Sequence, residues 1–205
     1  MGNNVIINIG RQFGSGGKSI AAEIGRILDI PVYDNELIAK ASEESGFSAE
    51  IFRDRDEKRR RWSVGSIFGS NRYGVATTAG LNDAEIFRLQ SETIRHIAEG
   101  GDAIFVGRAS DYVLRDLECL DVFVCAPVEV RRETVALRLG ITPEEAEELI
   151  EKKDRGRAEY YNFFTFGHWG KAAGYDLCVD SSLLGIEGTA RFIIDFGRRA
   201  GLIRP

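Results

Sequence analysis

Two histidines and three cysteines are all that the 205-residue chain offers a soft metal ion. His96 and His168 sit in unrelated contexts, and Cys119, Cys125 and Cys178 are odd in number and widely spaced. The ligand spacing of a cysteine–histidine zinc centre is therefore missing. The cysteines read instead as buried apolar thiols in a reducing compartment. Basic charge is also short, since 27 Lys and Arg against 32 Asp and Glu give a net charge of −5. That balance disfavours a general nucleic-acid binder. No uncharged apolar run approaches the ~20 residues of a membrane helix. Met1-Gly2-Asn3-Asn4 before Val5-Ile6-Ile7 has neither the cationic region nor the long apolar core of a signal peptide. Repeats and low-complexity tracts are lacking too. The expectation is a cytoplasmic globule with neither a membrane nor a nucleic acid as partner.

What is present fits that globule, with 43% apolar and 29% charged residues. The length suits one domain, 1–205, with a small inserted subdomain. Such a chain buries roughly 70% of its unfolded surface and needs no disulfide to fold. Val5-Ile6-Ile7-Asn8-Ile9 is a β-branched run that stops at Gly10, as in a strand covered on both faces. From Lys18 the period becomes helical, with Ile20, Ile24, Ile27 and Leu28 on one face. Pro31–Asp34 reads as a second strand, and helix returns from Leu37, completing a βαβ unit. Arg53–Arg61 is a charge run and Ser63–Gly80 a glycine-rich loop. Asn82 or Asp83 can cap a helix whose stripe is Ile86, Leu89, Ile94 and Ile97. Ala103–Val106, Val122–Val124 and Leu177–Val179 are further strands. Thr142-Pro143-Glu144-Glu145 is a capping box that predicts a helix to about Lys153, and Ile186–Phe196 is the closing helix. Five strands alternating with helices imply a three-layer α/β fold with a mostly parallel sheet.

Gly10-Arg11-Gln12-Phe13-Gly14-Ser15-Gly16-Gly17-Lys18-Ser19, between the first strand and the first helix, is the most informative segment. Amides of such a loop converge on phosphate oxygens, and the helix N-terminus adds its positive dipole end. Lysine there reaches the transferring phosphate and serine binds Mg²⁺. The phosphate-loop pattern G-x-x-x-x-G-K-[ST] asks for glycine where Gln12 stands, and Gly14 and Gly16 partly compensate. The dinucleotide pattern G-x-G-x-x-G fails at Ser19, although Asp34 mimics its ribose-binding acid. A purely structural turn remains the third reading. Lys18-Ser19 favours the phosphate loop, because a dinucleotide loop has no use for a lysine aimed at phosphate.

Arg11-Gln12-Phe13-Gly14-Ser15-Gly16-Gly17-Lys18 with Tyr33-Asp34 close behind resembles the cytidylate kinase-like proteins, a branch of the P-loop nucleoside monophosphate kinases. Gly107-Arg108 resembles the middle of that family's D-G-R-D motif, with Val106 and Ala109 in place of the aspartates. Asp154-Arg155-Gly156-Arg157-Ala158 resembles its lid motif D-R-x-R-A, and Tyr175–Ser182 with Ile186-Glu187 its last strand and helix. Cys125 stands where these kinases often carry an acid. The resemblance implies a P-loop fold on a parallel five-stranded sheet with core 1–35 and 100–205, a helical acceptor-binding insert at about 36–100 and a lid at about 131–172.

The same resemblance implies phosphoryl transfer from ATP, with Mg²⁺, to CMP or dCMP. Gly14, Ser15, Gly16 and Gly17 would cradle the donor, Lys18 would bridge its β- and γ-phosphates, and Ser19 would hold Mg²⁺ with help from Asp34. Arg108 would grip the acceptor phosphate, and Arg155 and Arg157 would neutralise the transferring group. Asp154 resembles the ribose-binding acid, Arg131 would face ATP, and Asp34 would also accept from the bound nucleotide. Alternatives from residue chemistry are a P-loop kinase of another small acceptor and a nucleotide-binding protein with little turnover. Plainer readings are surface ion pairs for the arginines, a strand-end cap for Asp34 and lid packing for Tyr160, Tyr161, Phe163, Phe164, Phe166 and Trp169. His168 reads as structural.

Overall fold

The structure of the chain, a computed structural model, describes residues 4–44 and 83–204. The Arg53–Arg61 run, the Ser63–Gly80 stretch and the Asn82 cap lie outside the described residues. Five strands form one parallel sheet in the order β2-β3-β1-β4-β5. They are β1 (Ile6–Arg11), β2 (Val32–Tyr33), β3 (Ala103–Val106), β4 (Leu120–Cys125) and β5 (Leu177–Asp180). The helices are α1 (Gly17–Leu28), α2 (Asn35–Glu44), α3 (Asp83–Gly100), α4 (Ser110–Val113), α5 (Val128–Leu139), α6 (Pro143–Thr165) and α7 (Gly185–Arg199).

The period-2 alternation of β1 explains the layering. Ile7 and Ile9 face Ile20 and Ile24 of α1 and Ile193 and Ile194 of α7. Ile6 turns the other way, toward Phe105, Ile38 of α2 and Ile94 and Ala98 of α3. Each apolar face is thus covered by helices, which makes three layers. A third small core, Val135, Ala146 and Ile150, joins α5 to α6. Between α2 and α3 the contact is partly polar, with the Ser42 and Thr93 hydroxyls 2.9 Å apart.

Two expectations need correction. The helix opened by the Thr142 capping box does not stop near Lys153 but runs on to Thr165, through Gly156. The box itself is made, Glu145 N–H donating to Thr142 Oγ1 at 3.2 Å and Thr142 N–H to Glu145 Oε2 at 2.9 Å. Aromatic packing holds the extension. Phe164 stacks on Phe87 of α3 at 4.3 Å, and Tyr160 meets both rings edge-on. That contact outweighs the cost of about 1 kcal/mol for a mid-helix glycine. The cysteines are not buried thiols: Cys178 is exposed and Cys119 and Cys125 are half-buried. β5 is the sheet edge, and Cys178 is its exposed position.

Candidate active site

Because all five strands run parallel, their C-terminal ends share one edge. The glycine loop, Asp34 and Gly107-Arg108 each follow a strand there, while the Asp154–Ala158 motif comes from the middle of α6. Open α/β sheets place ligands at that edge, where connections leave in opposite directions. β1 runs into the glycine loop, whose turns need positive φ at Gly14 (84°) and Gly16 (77°). The first intrahelical bond of α1 is Ile20 N–H to Gly16 O at 2.9 Å, and no side chain caps the helix. The amides of Gly17, Lys18 and Ser19 therefore face the loop's concavity without an intrahelical partner. Ser15 is buried, its hydroxyl donating to Gln12 O and Val124 O. Ser181, past β5, donates to Ser15 O at 2.7 Å.

Gln12, the departure from the glycine pattern, has a local reason. Its backbone N–H donates to Val124 O at 3.0 Å, and its side-chain Oε1 accepts from Ala126 N–H at 3.2 Å. The side chain thus ties the loop to the end of β4.

Lys18 and Asp34 meet at 2.5 Å, the lysine 71% exposed and the carboxylate 15%. The other Asp34 oxygen accepts from the N–H groups of Glu36 and Leu37, each at 3.1 Å, so the same residue caps α2. Burial alone would raise the Asp34 pKa, but the Lys18 ammonium and the two amides outweigh it and hold the group below the ordinary carboxylate value. The hydrogen bond to Asp34 and its charge raise Lys18 in turn. Ser19 is exposed in the first turn of α1.

β3 leads into three successive left-handed residues, Gly107 (φ 77°), Arg108 (φ 62°) and Ala109 (φ 53°). Two of the three carry a Cβ, and such strain is kept where the surroundings impose it. The turn presents the Arg108 guanidinium over the Tyr160 ring, 5.2 Å from its centroid. Arg157 of α6 donates to Arg11 O at 2.9 Å and lies 3.5 Å from Asp154. Burial lowers its pKa, Asp154 opposes the fall and Arg131 adds to it. Arg155 stands apart, exposed and 3.9 Å from Glu151.

Arg131 and Asp154 form a clamp under the loop. Asp154 accepts Phe13 N–H at 2.6 Å and Arg131 Nη1 at 2.7 Å. Arg131 is 7% exposed and donates to Phe13 O and Ala126 O as well. Both polar groups of the Phe13 backbone are thus held by one ion pair, and the Arg138 and Arg157 guanidiniums lie 5.4 and 5.5 Å from the Phe13 ring. No sequence pattern announces this arrangement, because the two charges sit 23 residues apart on different helices.

The remaining candidates sort by contact. Tyr161 donates to Asp111 at 2.7 Å, Trp169 packs edge-on against Phe123, and His168, Phe163 and Phe166 are exposed. Beneath Gly10 lies a polar cluster that the sequence did not flag. Asn8 Nδ2 donates to Asp121 Oδ1 at 2.8 Å, and Asp121 N–H donates to Asp176 at 2.8 Å. Burial, with Asp111 and Asp176 adding, pushes Asp121 up to about 6 against the Asn8 hydrogen bond.

Residues 6–183 match the cytidylate kinase-like family. The cytidylate kinase of Pyrobaculum calidifontis is 24% identical over 94% of this chain and 92% of its own length. That of Methanopyrus kandleri is 29% identical over 87% of this chain and 86% of its own. Among solved structures, an uncharacterized protein from Eubacterium ventriosum superposes with a TM-score of 0.71 at 24% identity, covering 94% of this chain and 97% of that one. A shikimate kinase from Bacteroides thetaiotaomicron gives 0.54 at 14% identity, with 95% and 98% covered. The likeness shows the P-loop kinase fold.

Proposed function

Since the chain belongs to the cytidylate kinase-like family, we propose that it transfers the γ-phosphoryl group of ATP, with Mg²⁺, to a pyrimidine nucleoside monophosphate, CMP or dCMP. The observation that carries this reading is the convergence of Lys18, Arg108 and Arg157 on the uncapped N-terminus of α1, at one edge of a parallel sheet. A site so rich in donors and cations suits a polyanion.

The donor phosphates rest on the amides of Gly14 to Lys18, with Ser15 bracing the loop from inside. Lys18, parked on Asp34, passes to the β- and γ-oxygens when the nucleotide arrives. The exposed Ser19 hydroxyl and Asp34 are oxygen donors that would hold a hard cation such as Mg²⁺, whose chemistry there would be to neutralise charge on the transferring group. Asp34 also accepts from the bound nucleotide, since its edge position faces the acceptor side. Arg108, displayed by the strained turn, holds the acceptor phosphate, and Arg157 balances the charge that develops between the two nucleotides. Arg155 is exposed, so its part in transfer requires the segment at about 131–172 to close as a lid. Helices α2 and α3, the described parts of the segment at about 36–100, flank the acceptor side. For Arg131 and Asp154 the geometry favours a positioning role: they set the Phe13 backbone, and through it the loop, rather than touching ATP or ribose.

The acceptor side is tested by Arg108→Ala. The expected outcome in steady-state kinetics is a tenfold or larger rise in KM for CMP with KM for ATP changed less than threefold. An unchanged KM for CMP would move the acceptor phosphate elsewhere.

A further inference from the structure

The loop carries another cation, to which none of the roles above applies. Arg11 ends β1, and its side chain lies in a slot between two glycines. A Cβ on Gly17 would stand 2.6 Å from Arg11 Cβ and 2.9 Å from its Cγ, and a Cβ on Gly107 would collide with the guanidinium. Gly17 lies in α1 and is not among the residues of positive φ, so clearance for Arg11 is what requires glycine there. Gly107 serves twice, in the left-handed turn and as the floor under the guanidinium.

The slot does not neutralise what it holds. Among the described residues no carboxylate pairs with the Arg11 guanidinium, and Arg11 meets Arg157 through its carbonyl, which accepts from Arg157 Nη1. The acids within electrostatic reach are committed: Asp34 to Lys18 and the α2 amides, Asp154 to Arg131 and Phe13. Burial, with Arg157 and Arg108 adding to it and Asp34 and Asp154 opposing, lowers Arg11 to about 9. It stays protonated at neutral pH, surrounded by protein on most sides and facing two like charges. A cation kept so is costly unless an anion completes it.

We propose that Arg11 is an anion-holding residue of this site, its guanidinium laid across Gly107 so as to bind phosphate oxygen beside Lys18, Arg108 and Arg157. The identity of that phosphate, at the junction of donor and acceptor, rests on the phosphotransfer reading; the anion site does not. A guanidinium fork suits two oxygens of one phosphate, which a point-charge ammonium cannot match.

The test uses inorganic tripolyphosphate, long enough to run from the loop amides past Lys18, titrated calorimetrically into wild type and Arg11→Gln. The variant is expected to bind roughly tenfold or more weakly. Its apo Tm should equal or exceed that of wild type, because one of three crowded like charges is gone. An arginine present only to fill the slot predicts the reverse, a lower apo Tm with affinity within threefold, and that result overturns the proposal. Should Arg11→Gln fail to fold, Arg11→Lys decides: its ammonium stops short of Gly107, so affinity should fall at least threefold, and wild-type affinity overturns the proposal. The two readings separate in the same experiment. Arg11-dependent tripolyphosphate binding without turnover of any nucleoside monophosphate removes the kinase and keeps the anion site. Full turnover and full affinity in Arg11→Gln does the opposite.

Discussion

Lys18 and Asp34 hold each other in an ion pair, which under the proposed reading an incoming nucleotide displaces. Asp34 is lowered by its partners, so its share of the stabilisation is present above the ordinary aspartate value and lost as pH falls through the lowered one. Lys18 is raised, so its share is complete below the ordinary lysine value and lost only as pH rises through the raised one. The pair is therefore intact across neutral pH. With the lysine 71% exposed it contributes little to stability. Asp34→Asn keeps the α2 cap and removes the pair, so Tm should move by no more than about 2 °C, equivalent to under 1 kcal/mol. Turnover should fall more than tenfold in the same variant. A large loss of Tm with normal turnover would reduce Asp34 to a cap. Lys18→Met should cost more than tenfold in kcat, measured in the same assay.

At this scale the sequence located the loop, Asp34, Arg108 and Arg157 by motif, and the structure brings them to one edge. It could not show the ties of Gln12, the clamp on Phe13 or the slot around Arg11. Each depends on which atoms of residues distant in sequence come together.

Among the elements, α6 departs furthest from its expected length. The period weakens after Lys153, and what continues the helix is Phe87 on α3, a contact no local pattern encodes. Gly156 sits within it with nothing inside 4 Å of where a Cβ would be. Gly156→Ala should stabilise by about 0.5–1 kcal/mol, read as a rise of 1–4 °C in Tm. If α6 bends at that point during lid closure, turnover should fall while Tm rises; unchanged turnover would place the hinge elsewhere. Asp154 joins α5, α6 and the loop. Asp154→Asn leaves the buried Arg131 uncompensated and should cost about 3 kcal/mol, or roughly 6–12 °C in Tm. A shift below 2 °C would show that the clamp does not position the loop.

For the molecule as a whole, the β-branched runs and glycine punctuation made the parallel sheet legible, because strands buried on both faces leave a continuous apolar signature. The four-residue α4 and the polar layer under Gly10 left no such signature. That layer contributes to the pH dependence of the fold. Asp121 is raised to about 6, so the folded state favours its protonated form. Its stabilising share is complete below the ordinary aspartate value and is lost as pH rises through about 6. Stability should thus decline between pH 4 and 6 on account of this group. Asp121→Asn still accepts from Asn8, and should raise Tm at pH 7.5 by roughly 2–4 °C and flatten that decline. A lower Tm across the whole range would show that the ionised form is the one the fold requires.

The central claim is that this edge of the sheet moves a phosphoryl group from ATP to a nucleoside monophosphate. The most direct test is coupled ADP release by purified protein with Mg²⁺ and ATP, against CMP, dCMP, UMP, AMP and GMP, with a no-acceptor control and Lys18→Met beside it. The expected result is ADP release that depends on CMP or dCMP and falls more than tenfold in Lys18→Met. ADP release equal to the no-acceptor control with every monophosphate would contradict it.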